Sequence, residues 1–200
     1  TVATKRDSRE EILRAAAELF MEFGYAATSI DAGAERLGST KGRIYYHYRS
    51  KAELFFDVHV AAMTRLASEV EPIARGAGSA AERLAAMALR HIQTILHDLP
   101  MQKVAVQALD RSLLGTSGSM RQLRSVIKMR DDYENLFVEV IDQGTRAGVF
   151  IDVPASMASK PFGGALNGAT GGCTQRRLQS ADAVDEIARN AALTKGAIYF

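Results

Sequence analysis

Apolar residues recur at the spacing of an α-helix through almost the whole of this 200-residue chain. In the segment from residue 80 to residue 97 they lie three or four positions apart, at Leu84, Met87, Ala88, Ile92, Ile95 and Leu96. No stretch of four or more residues alternates apolar and polar side chains cleanly enough to predict a β-strand. The sequence therefore predicts an all-α protein.

Helix-capping residues, glycines and prolines divide this pattern into separate helices. The predicted ranges are about 9–23, 29–37, 41–47, 51–74, 80–97, 100–113, 120–147, 155–174 and 182–195. Ser8 with Glu11, and Thr28 with Asp31, have the spacing of capping boxes. Pro161 predicts either a kink in its helix or a later helix start.

The chain is predicted to divide near Ser50, with the helix that follows as the connector. Residues 1–50 would form a three-helix domain, and residues 51–200 a helical bundle. The buried stripe of the first helix is predicted to contain Ile12, Ala16, Leu19, Phe20 and Phe23. The second and third helices are separated by the sequence RLGST, and their lengths and glycine turn are typical of a helix-turn-helix.

The excess of positive charge lies entirely in the first quarter of the chain. Residues 1–51 contain nine Lys and Arg against seven Asp and Glu, whereas the remaining residues contain 16 of each sign. From Arg36 to Lys51 there are five basic residues and no acidic one. Such a run is typical of an anion-binding face, and also of an ordinary solvated surface.

Other features of the composition bear on where the protein works. No apolar run approaches the roughly 18 residues that a membrane span needs, and the N-terminus lacks the apolar core of a signal peptide. The single cysteine, Cys173, cannot form an internal disulfide and fits a reducing compartment. We therefore expect a cytoplasmic protein with no membrane partner.

The stretch from Ser39 to Tyr48 holds three of the six tyrosines of the chain, a histidine and two cations. Ile44 and Tyr48 are four residues apart and are predicted to pack into a small core with the preceding helix. The outward face would then consist of Lys41, Gly42, Arg43, Tyr45, Tyr46 and His47. Such a face suits a DNA major groove, where cations bind guanine edges or phosphates and phenol rings pack on sugars and thymine methyls. The alternative is that the rings pack within the protein and the cations are only hydrated.

Two helix N-termini carry further groups that suit a phosphate. Lys51 follows Ser50 at the start of the fourth helix, and Thr28 and Ser29 stand at the start of the second. Free backbone N–H groups at a helix N-terminus attract anions, so these positions are candidates for backbone contacts with DNA.

The segment ILRAAAELFMEFGYAATSIDAGAERLGSTKGRIYYHYRSKAELF, residues 12–55, resembles the DNA-binding domain of the TetR family of bacterial transcriptional regulators. The resemblance implies that Lys41, Arg43, Tyr45 and Tyr46 contact bases and backbone. It also implies that His47, Lys51 and either Thr28 or Ser29 contact phosphates. Members of this family bind operator DNA as homodimers and respond to small-molecule effectors.

The chain departs from the family pattern at three positions. Family members usually carry a bulky aliphatic residue at the position of Gly33, often one at Ser39, and a small polar residue at Arg43. Gly33 costs roughly 1 kcal/mol of helix propensity and removes a core side chain, which predicts a softer domain if nothing fills the space. Arg43 adds a side chain that can read guanine or bind phosphate.

The C-terminal half carries a shorter resemblance to family members that sense acyl-coenzyme A thioesters, in MRDDYENLFVEVIDQGTRAGVF and GGALN. Arg130, Tyr133 and Phe137 are candidates to line an effector cavity, the alternative being a rim salt bridge and ordinary core. Gly164, Gly168 and Gly172 form a bare strip that suits close approach of a partner helix at a dimer interface. The alternative is an irregular segment, because five glycines in ten residues weaken any helix.

The sequence shows no metal-binding spacing, no phosphate-binding glycine loop and no catalytic constellation, so we expect neither an enzyme nor a bound cofactor. The leading hypothesis is a homodimeric repressor that binds a palindromic operator and releases it when a small, largely apolar effector binds. An acyl-coenzyme A thioester is one candidate for that effector. The alternative is a helical regulator that acts through a protein partner, with operator binding weakened or lost through Gly33 and Ser39.

Overall fold

The computed structural model describes residues 2–106 and 117–169, and within them it contains only α-helices. The helices are α1 (Val2–Ala27), α2 (Ile30–Arg36), α3 (Lys41–His47), α4 (Lys51–Ala74), α5 (Ala80–His97), α6 (Leu99–Val106), α7 (Ser117–Arg146) and α8 (Ala155–Ala169). The predicted all-α class is therefore confirmed. The helix predicted at 182–195, and the C-terminal ends of those predicted at 100–113 and 155–174, lie outside the described residues. In the part of the chain that is described, no helix is both long and apolar enough to span a membrane.

The first helix differs from its prediction at both ends. It begins at Val2, so Ser8 and Glu11 lie within the helix and have no N-terminus to cap. Near its end, Gly24 has non-helical torsion angles (φ 76°, ψ 168°) and turns the chain. Because of this turn Tyr25 packs on the Phe20 ring, with centroids 6.0 Å apart. Phe23 is 54% exposed, so its predicted burial is wrong.

The second helix is capped one residue later than predicted. The N-cap is Ser29, whose hydroxyl oxygen accepts a hydrogen bond from the Ala32 N–H at 3.1 Å. Thr28 is buried and donates its hydroxyl to the carbonyls of Leu19, at 3.2 Å, and Gly24, at 2.8 Å. Thr28 therefore holds α1 rather than capping α2, and its predicted capping box is absent.

The later helices follow the predicted boundaries more closely. Ser50 accepts from the Glu53 N–H at 3.1 Å, which confirms the predicted start of α4. The helix α8 begins at Ala155 and continues past Pro161, which excludes the later start that the proline allowed.

The chain divides into two compact units. The first unit contains Thr1–Met63 and Pro100–Met129, and the second contains Thr64–Leu99 and Arg130–Phe200. Both α4 and α7 contribute residues to each unit. The predicted boundary near Ser50, between residues 1–50 and residues 51–200, stays a prediction.

Within the first unit, α1, α2, α3 and the start of α4 bury a common apolar core. Its buried members include Ile12, Ala16, Leu19, Phe20, Ile30, Ala34, Ile44, Tyr48, Leu54 and Phe55. The rings of Phe20 and Phe55 meet edge to face at 5.0 Å, and Tyr25 packs on Phe55 at 4.8 Å. Edge-to-face aromatic pairs contribute beyond their buried area, so this cluster fixes α1 against α4.

Gly33 lies in this core without leaving a cavity. It is buried on α2, and a methyl group placed on its Cα would lie 3.3 Å from Cδ1 of Ile44. The Ile44 side chain from α3 therefore occupies the space that a bulky aliphatic residue at position 33 would need. The predicted loss of stability depended partly on unfilled space. Because Ile44 fills that space, only the low helix propensity of glycine is left to destabilise α2.

We expect Gly33→Leu to destabilise the protein by about 1–3 kcal/mol, because the added side chain would displace Ile44 from its packed position. Gly42→Ala is the matched control: it lies on the exposed side of α3, and an added methyl group would meet only Thr40 Oγ1, at 3.8 Å. That control should gain up to about 1 kcal/mol of helix propensity. Urea unfolding of both variants measures the difference, and a stabilised Gly33→Leu variant would contradict the packing described.

Within the second unit, apolar residues of α4, α5, α7 and α8 form a core that includes Val70, Leu84, Met87, Ile92, Phe137, Val140, Phe162 and Leu166. A polar network crosses this core at His91, whose ring nitrogens lie 2.8 Å from Tyr133 Oη and 3.1 Å from Asn167 Oδ1. Burial lowers the pKa of His91 to about 4, so the ring is neutral at pH 7. Its Nε2–H then donates to Asn167, and its Nδ1 accepts the Tyr133 proton.

Candidate nucleic-acid interface and ligand pocket

The short helix α3 presents two different faces. Ile44 and Tyr48 are 1% and 3% exposed, as predicted, and they anchor the helix in the core of the first unit. Tyr45 and Tyr46 are 53% and 72% exposed. Large exposed rings are uncommon on a surface that only meets water, so this face is a candidate binding surface.

The other outward positions of α3 are arranged around these rings. Lys41 and Gly42 are exposed, whereas Arg43 and His47 are half-buried. His47 packs edge to face on the Tyr46 ring with centroids 5.1 Å apart. These three side chains and the glycine therefore lie beside the two tyrosines, as the helical spacing predicted.

A cluster of three polar side chains fixes the C-terminal end of α3. The Tyr48 hydroxyl donates to Asp57 Oδ2 at 2.6 Å, and Arg9 donates to the Asp57 carboxylate at 2.6 and 2.8 Å. Arg9 Nε also donates to Tyr48 Oη at 3.3 Å. Burial and the Asp57 hydrogen bond raise the pKa of Tyr48, so it remains a neutral donor at pH 7. The cluster joins α1, α3 and α4 at one point.

Both cations of α3 pair with carboxylates from other helices. Lys41 Nζ contacts Asp31 on α2, and Arg43 Nη2 contacts Glu11 on α1. Arg43 Nε also donates to Ser8 Oγ at 3.1 Å. Ion pairs at this level of exposure contribute about 0–1 kcal/mol to stability, so another anion can replace either carboxylate at little cost in free energy.

Two of the predicted phosphate contacts have their polar groups engaged within the protein. Lys51 Nζ donates to the carbonyls of Tyr25 at 2.7 Å, Thr28 at 2.8 Å and Ala26 at 3.3 Å, and lies 4.3 Å from the Tyr25 ring centroid. The Thr28 hydroxyl bonds to α1, as described above. Lys51 therefore caps the carbonyls at the end of α1. Of the three N-terminal candidates, only Ser29 is exposed.

The second unit contains a partly open cavity of about 230 Å³ with an almost entirely apolar lining, in which Ile151 and Met157 are 65% and 69% exposed. It is lined by Leu84, Ile141, Phe150, Ile151, Val153, Pro154, Met157, Ala158 and Phe162. Most of these residues come from the connection between α7 and α8 and from the first turns of α8. An apolar cavity of this kind suits a small hydrophobic ligand or the hydrophobic part of a larger one.

Gly144 shapes one wall of this cavity. A methyl group on its Cα would lie 2.2 Å from Cε2 of Phe150 and 3.0 Å from Cβ of Ala80. Only glycine lets the Phe150 ring pack this closely on α7. Sequence reasoning missed the cavity, although the apolar residues that follow Gly148, at Val149, Phe150, Ile151 and Val153, are unusual for a simple connection between helices.

The three residues predicted to line an effector cavity do not line this one. Tyr133 bonds to His91 within the core, and Phe137 packs 5.6 Å from the Tyr133 ring and 5.9 Å from the Phe162 ring. Arg130 is half-buried, and burial lowers the pKa of its guanidinium. Phe162 is thus the link between the cavity and the predicted residues, because it lines the cavity and contacts Phe137.

The predicted glycine strip is partly described. Methyl groups placed on Gly164 and Gly168 would meet nothing within 4 Å among residues 2–106 and 117–169. Gly172 lies outside the described residues. Among residues 2–106 and 117–169, no cluster of His, Cys, Asp and Glu has the arrangement of a metal site.

The capping role of Lys51 can be tested by its contribution to stability. We expect Lys51→Ala to lower the free energy of unfolding by about 1–3 kcal/mol, because three carbonyl groups lose a charged donor. Lys41→Ala is the control, since Lys41 makes one exposed ion pair and should change stability little. Urea unfolding of the two variants provides the measurement. Equal stability of Lys51→Ala and the unmodified protein would mean that these hydrogen bonds contribute nothing.

Two family models match the chain. The model of bacterial regulatory proteins of the tetR family matches residues 12–58, and that of the tetracyclin repressor-like C-terminal domain matches residues 77–171. The HTH-type transcriptional activator FasR of Mycolicibacterium smegmatis is 35% identical over 94 residues. That match spans 46% of this chain and 43% of FasR, less than half of the relative.

Solved structures of similar proteins extend over nearly the whole chain. The TetR family transcriptional regulator PfmR from Thermus thermophilus has a TM-score of 0.74 and 26% identity, and the match covers 92% of this chain and 96% of PfmR. AibR in complex with isovaleryl coenzyme A and operator DNA has a TM-score of 0.75 over 94% of this chain and 97% of AibR. Its 19% identity shows a shared fold alone. With both halves matched by models of one family, the chain belongs to the TetR family of bacterial regulatory proteins and is a DNA-binding transcriptional regulator.

Proposed function

We propose that this protein is a homodimeric repressor that binds a palindromic operator and releases it when a small, largely apolar effector binds. The observation that carries the DNA-binding part is the exposed face of α3. Tyr45 and Tyr46 project from a helix whose other side is anchored by Ile44 and Tyr48. Each subunit would insert this face into a major groove, with half-sites one helical turn or a small multiple apart.

The chemistry of the face supports this role. Phenol rings pack on sugars and thymine methyls while their hydroxyl groups reach phosphate oxygens. Lys41 and Arg43 lie beside the rings in ion pairs that the phosphates or guanines of DNA can replace. Ser29 and His47 would also contact the DNA backbone. Thr28 and Lys51 would act mainly by holding α1 in place.

Dimerisation and the sign of regulation are parts of the same proposal. The glycine face of α8, at Gly164 and Gly168, has no side chain of its own and would let a partner helix approach closely. A palindromic operator follows from two-fold symmetry of such a dimer. FasR is named an activator, so transcription from the bound promoter in vitro must decide between repression and activation.

The cavity of the second unit supports an apolar effector. Its volume of about 230 Å³ exceeds the ~150 Å³ cavity that binds benzene in an engineered protein. It is smaller than the roughly 300–1,000 Å³ of pockets for drug-sized ligands. A short or medium acyl chain fits this range, and AibR, a protein of the same fold, is complexed with isovaleryl coenzyme A. An acyl-coenzyme A thioester is therefore our first candidate.

Release follows if the effector binds one conformation of the dimer better than another. The favoured conformation would hold the two α3 helices at a separation that does not match successive grooves. Both α4 and α7 contribute residues to each compact unit, so a shift of either helix continues along an unbroken backbone.

The DNA face is tested with Tyr46→Ala and the control Phe23→Ala. Phe23 is also an exposed ring of the first unit, but it lies on α1 outside the proposed interface. A high-affinity site is first selected from random double-stranded DNA, and binding is then measured by gel shift at several salt concentrations. We expect Tyr46→Ala to weaken binding about tenfold and Phe23→Ala to leave it unchanged.

Two outcomes would contradict the proposal in different ways. Unchanged affinity of Tyr46→Ala would remove α3 from the interface. Failure of the unmodified protein to prefer any selected sequence over a scrambled one would favour the alternative function through a protein partner.

The effector cavity is tested with Ala158→Leu, which places three further carbon atoms in the space beside Phe162. Acyl-coenzyme A thioesters from acetyl to decanoyl are added to the preformed operator complex, and release is followed by fluorescence anisotropy. We expect the variant to need about tenfold more effector for half release, with unchanged operator affinity. Ser156→Ala, an exposed change on the same helix, should behave as the unmodified protein. Equal responses of both variants would place the effector elsewhere.

A further inference from the structure

We propose that Glu11 is a positioning residue that competes with operator DNA for the Arg43 side chain. The inference rests on the proposed function, because it concerns how strongly α3 binds its operator. It adds a residue of α1, outside the helix-turn-helix, to those that set the affinity.

The geometry of Arg43 is the starting point. Its Nη2 donates to Glu11 Oε2 while its Nε donates to Ser8 Oγ at 3.1 Å. Ser8 and Glu11 are three residues apart and therefore share one face of α1. The guanidinium is held at two points and lies along α1, with its side chain 35% exposed.

Arg43 uses in this arrangement one of the two donor pairs with which a guanidinium can bind DNA. A guanidinium binds guanine or phosphate through two neighbouring N–H groups, and here Nε and Nη2 are both engaged by α1. Arg43 precedes the exposed Tyr46 by three residues on α3 and therefore shares a face with it, so a change of side-chain rotamers moves the guanidinium toward that exposed surface. Side-on binding of DNA through Nε and Nη2 therefore requires that the Glu11 contact is broken.

Breaking this contact lowers affinity in two ways. The free energy of the ion pair is lost, and the Glu11 carboxylate is left unpaired near a strongly negative polymer. For an exposed pair the first contribution corresponds to about two- to fivefold in the binding constant. Removing the charge of Glu11 should therefore strengthen operator binding, although it removes a contact within the protein.

A double-mutant cycle on operator affinity tests the inference. The proteins are the unmodified chain, Glu11→Gln, Arg43→Ala and the double variant, each titrated by anisotropy with the selected operator at several salt concentrations. Glu10→Gln is the matched control, because Glu10 neighbours Glu11, carries the same charge and pairs with Arg14 within α1. Thermal melting of every variant detects misfolding.

We expect Glu11→Gln to bind the operator about two- to fivefold more tightly than Glu10→Gln does, and this gain to disappear when Arg43 is alanine. We also expect Arg43→Ala to lower the slope of log affinity against log salt by about one. If the ion pair had only a structural role, Glu11→Gln would not strengthen operator binding. Its loss would lower the melting temperature and leave the operator affinity unchanged or weaker.

The inference is overturned if Glu10→Gln strengthens binding as much as Glu11→Gln, because the effect would then be general charge. It is also overturned if the gain persists in the Arg43→Ala background, or if Glu11→Gln binds no more tightly than the unmodified protein. These results leave the proposed function intact as long as the unmodified protein binds its operator. Absence of specific binding by the unmodified protein would overturn both.

Discussion

The placement of α3 depends on the contact that Arg9 makes with Asp57 and Tyr48. A helix of seven residues is too short to be stable alone, so its position must come from tertiary contacts. Ile44 anchors its middle, and the Tyr48 hydroxyl ties its end to Asp57 on α4 and Arg9 on α1. On the same turn of α1, Ser8 and Glu11 hold the Arg43 side chain near the start of α3. A single turn of α1 therefore reaches both ends of α3.

Much of the fold could be predicted from the sequence, because helical periodicity and caps are local. The inward positions Ile44 and Tyr48 followed from their spacing of four residues, and the start of α4 followed from Ser50. Phe23 is an exception. Its place in the apolar stripe predicted burial, but the positive φ of Gly24 turns the chain, and the half-buried Tyr25 packs on the rings of Phe20 and Phe55 instead.

The site was less predictable than the fold, because its features depend on contacts between residues far apart in the chain. A count of basic residues would assign Lys41, Arg43 and Lys51 to DNA alike. Lys51 instead bonds to carbonyls more than 20 residues back along the chain, which no sequence pattern marks, whereas Lys41 and Arg43 pair with exposed carboxylates that a phosphate can replace. The apolar cavity of the second unit could not be predicted either, since its walls come largely from a connection whose shape depends on Gly144 accepting the Phe150 ring.

In the second unit, a row of aromatic side chains connects the apolar cavity to Phe137 and Tyr133, two of the residues predicted to line an effector cavity. Phe162 lines the cavity and packs 5.9 Å from Phe137, which in turn lies 5.6 Å from Tyr133 and 6.3 Å from His91. His91 is neutral and has both nitrogens engaged, so it holds α5, α7 and α8 in one arrangement through directional bonds. A ligand that displaces Phe162 must therefore either leave this network intact or break two buried hydrogen bonds. This choice favours two discrete conformations of the second unit over a gradual change. The proposed release from the operator would need such discrete states, because operator affinity would fall only if α3 moved as a unit with the helices that anchor it.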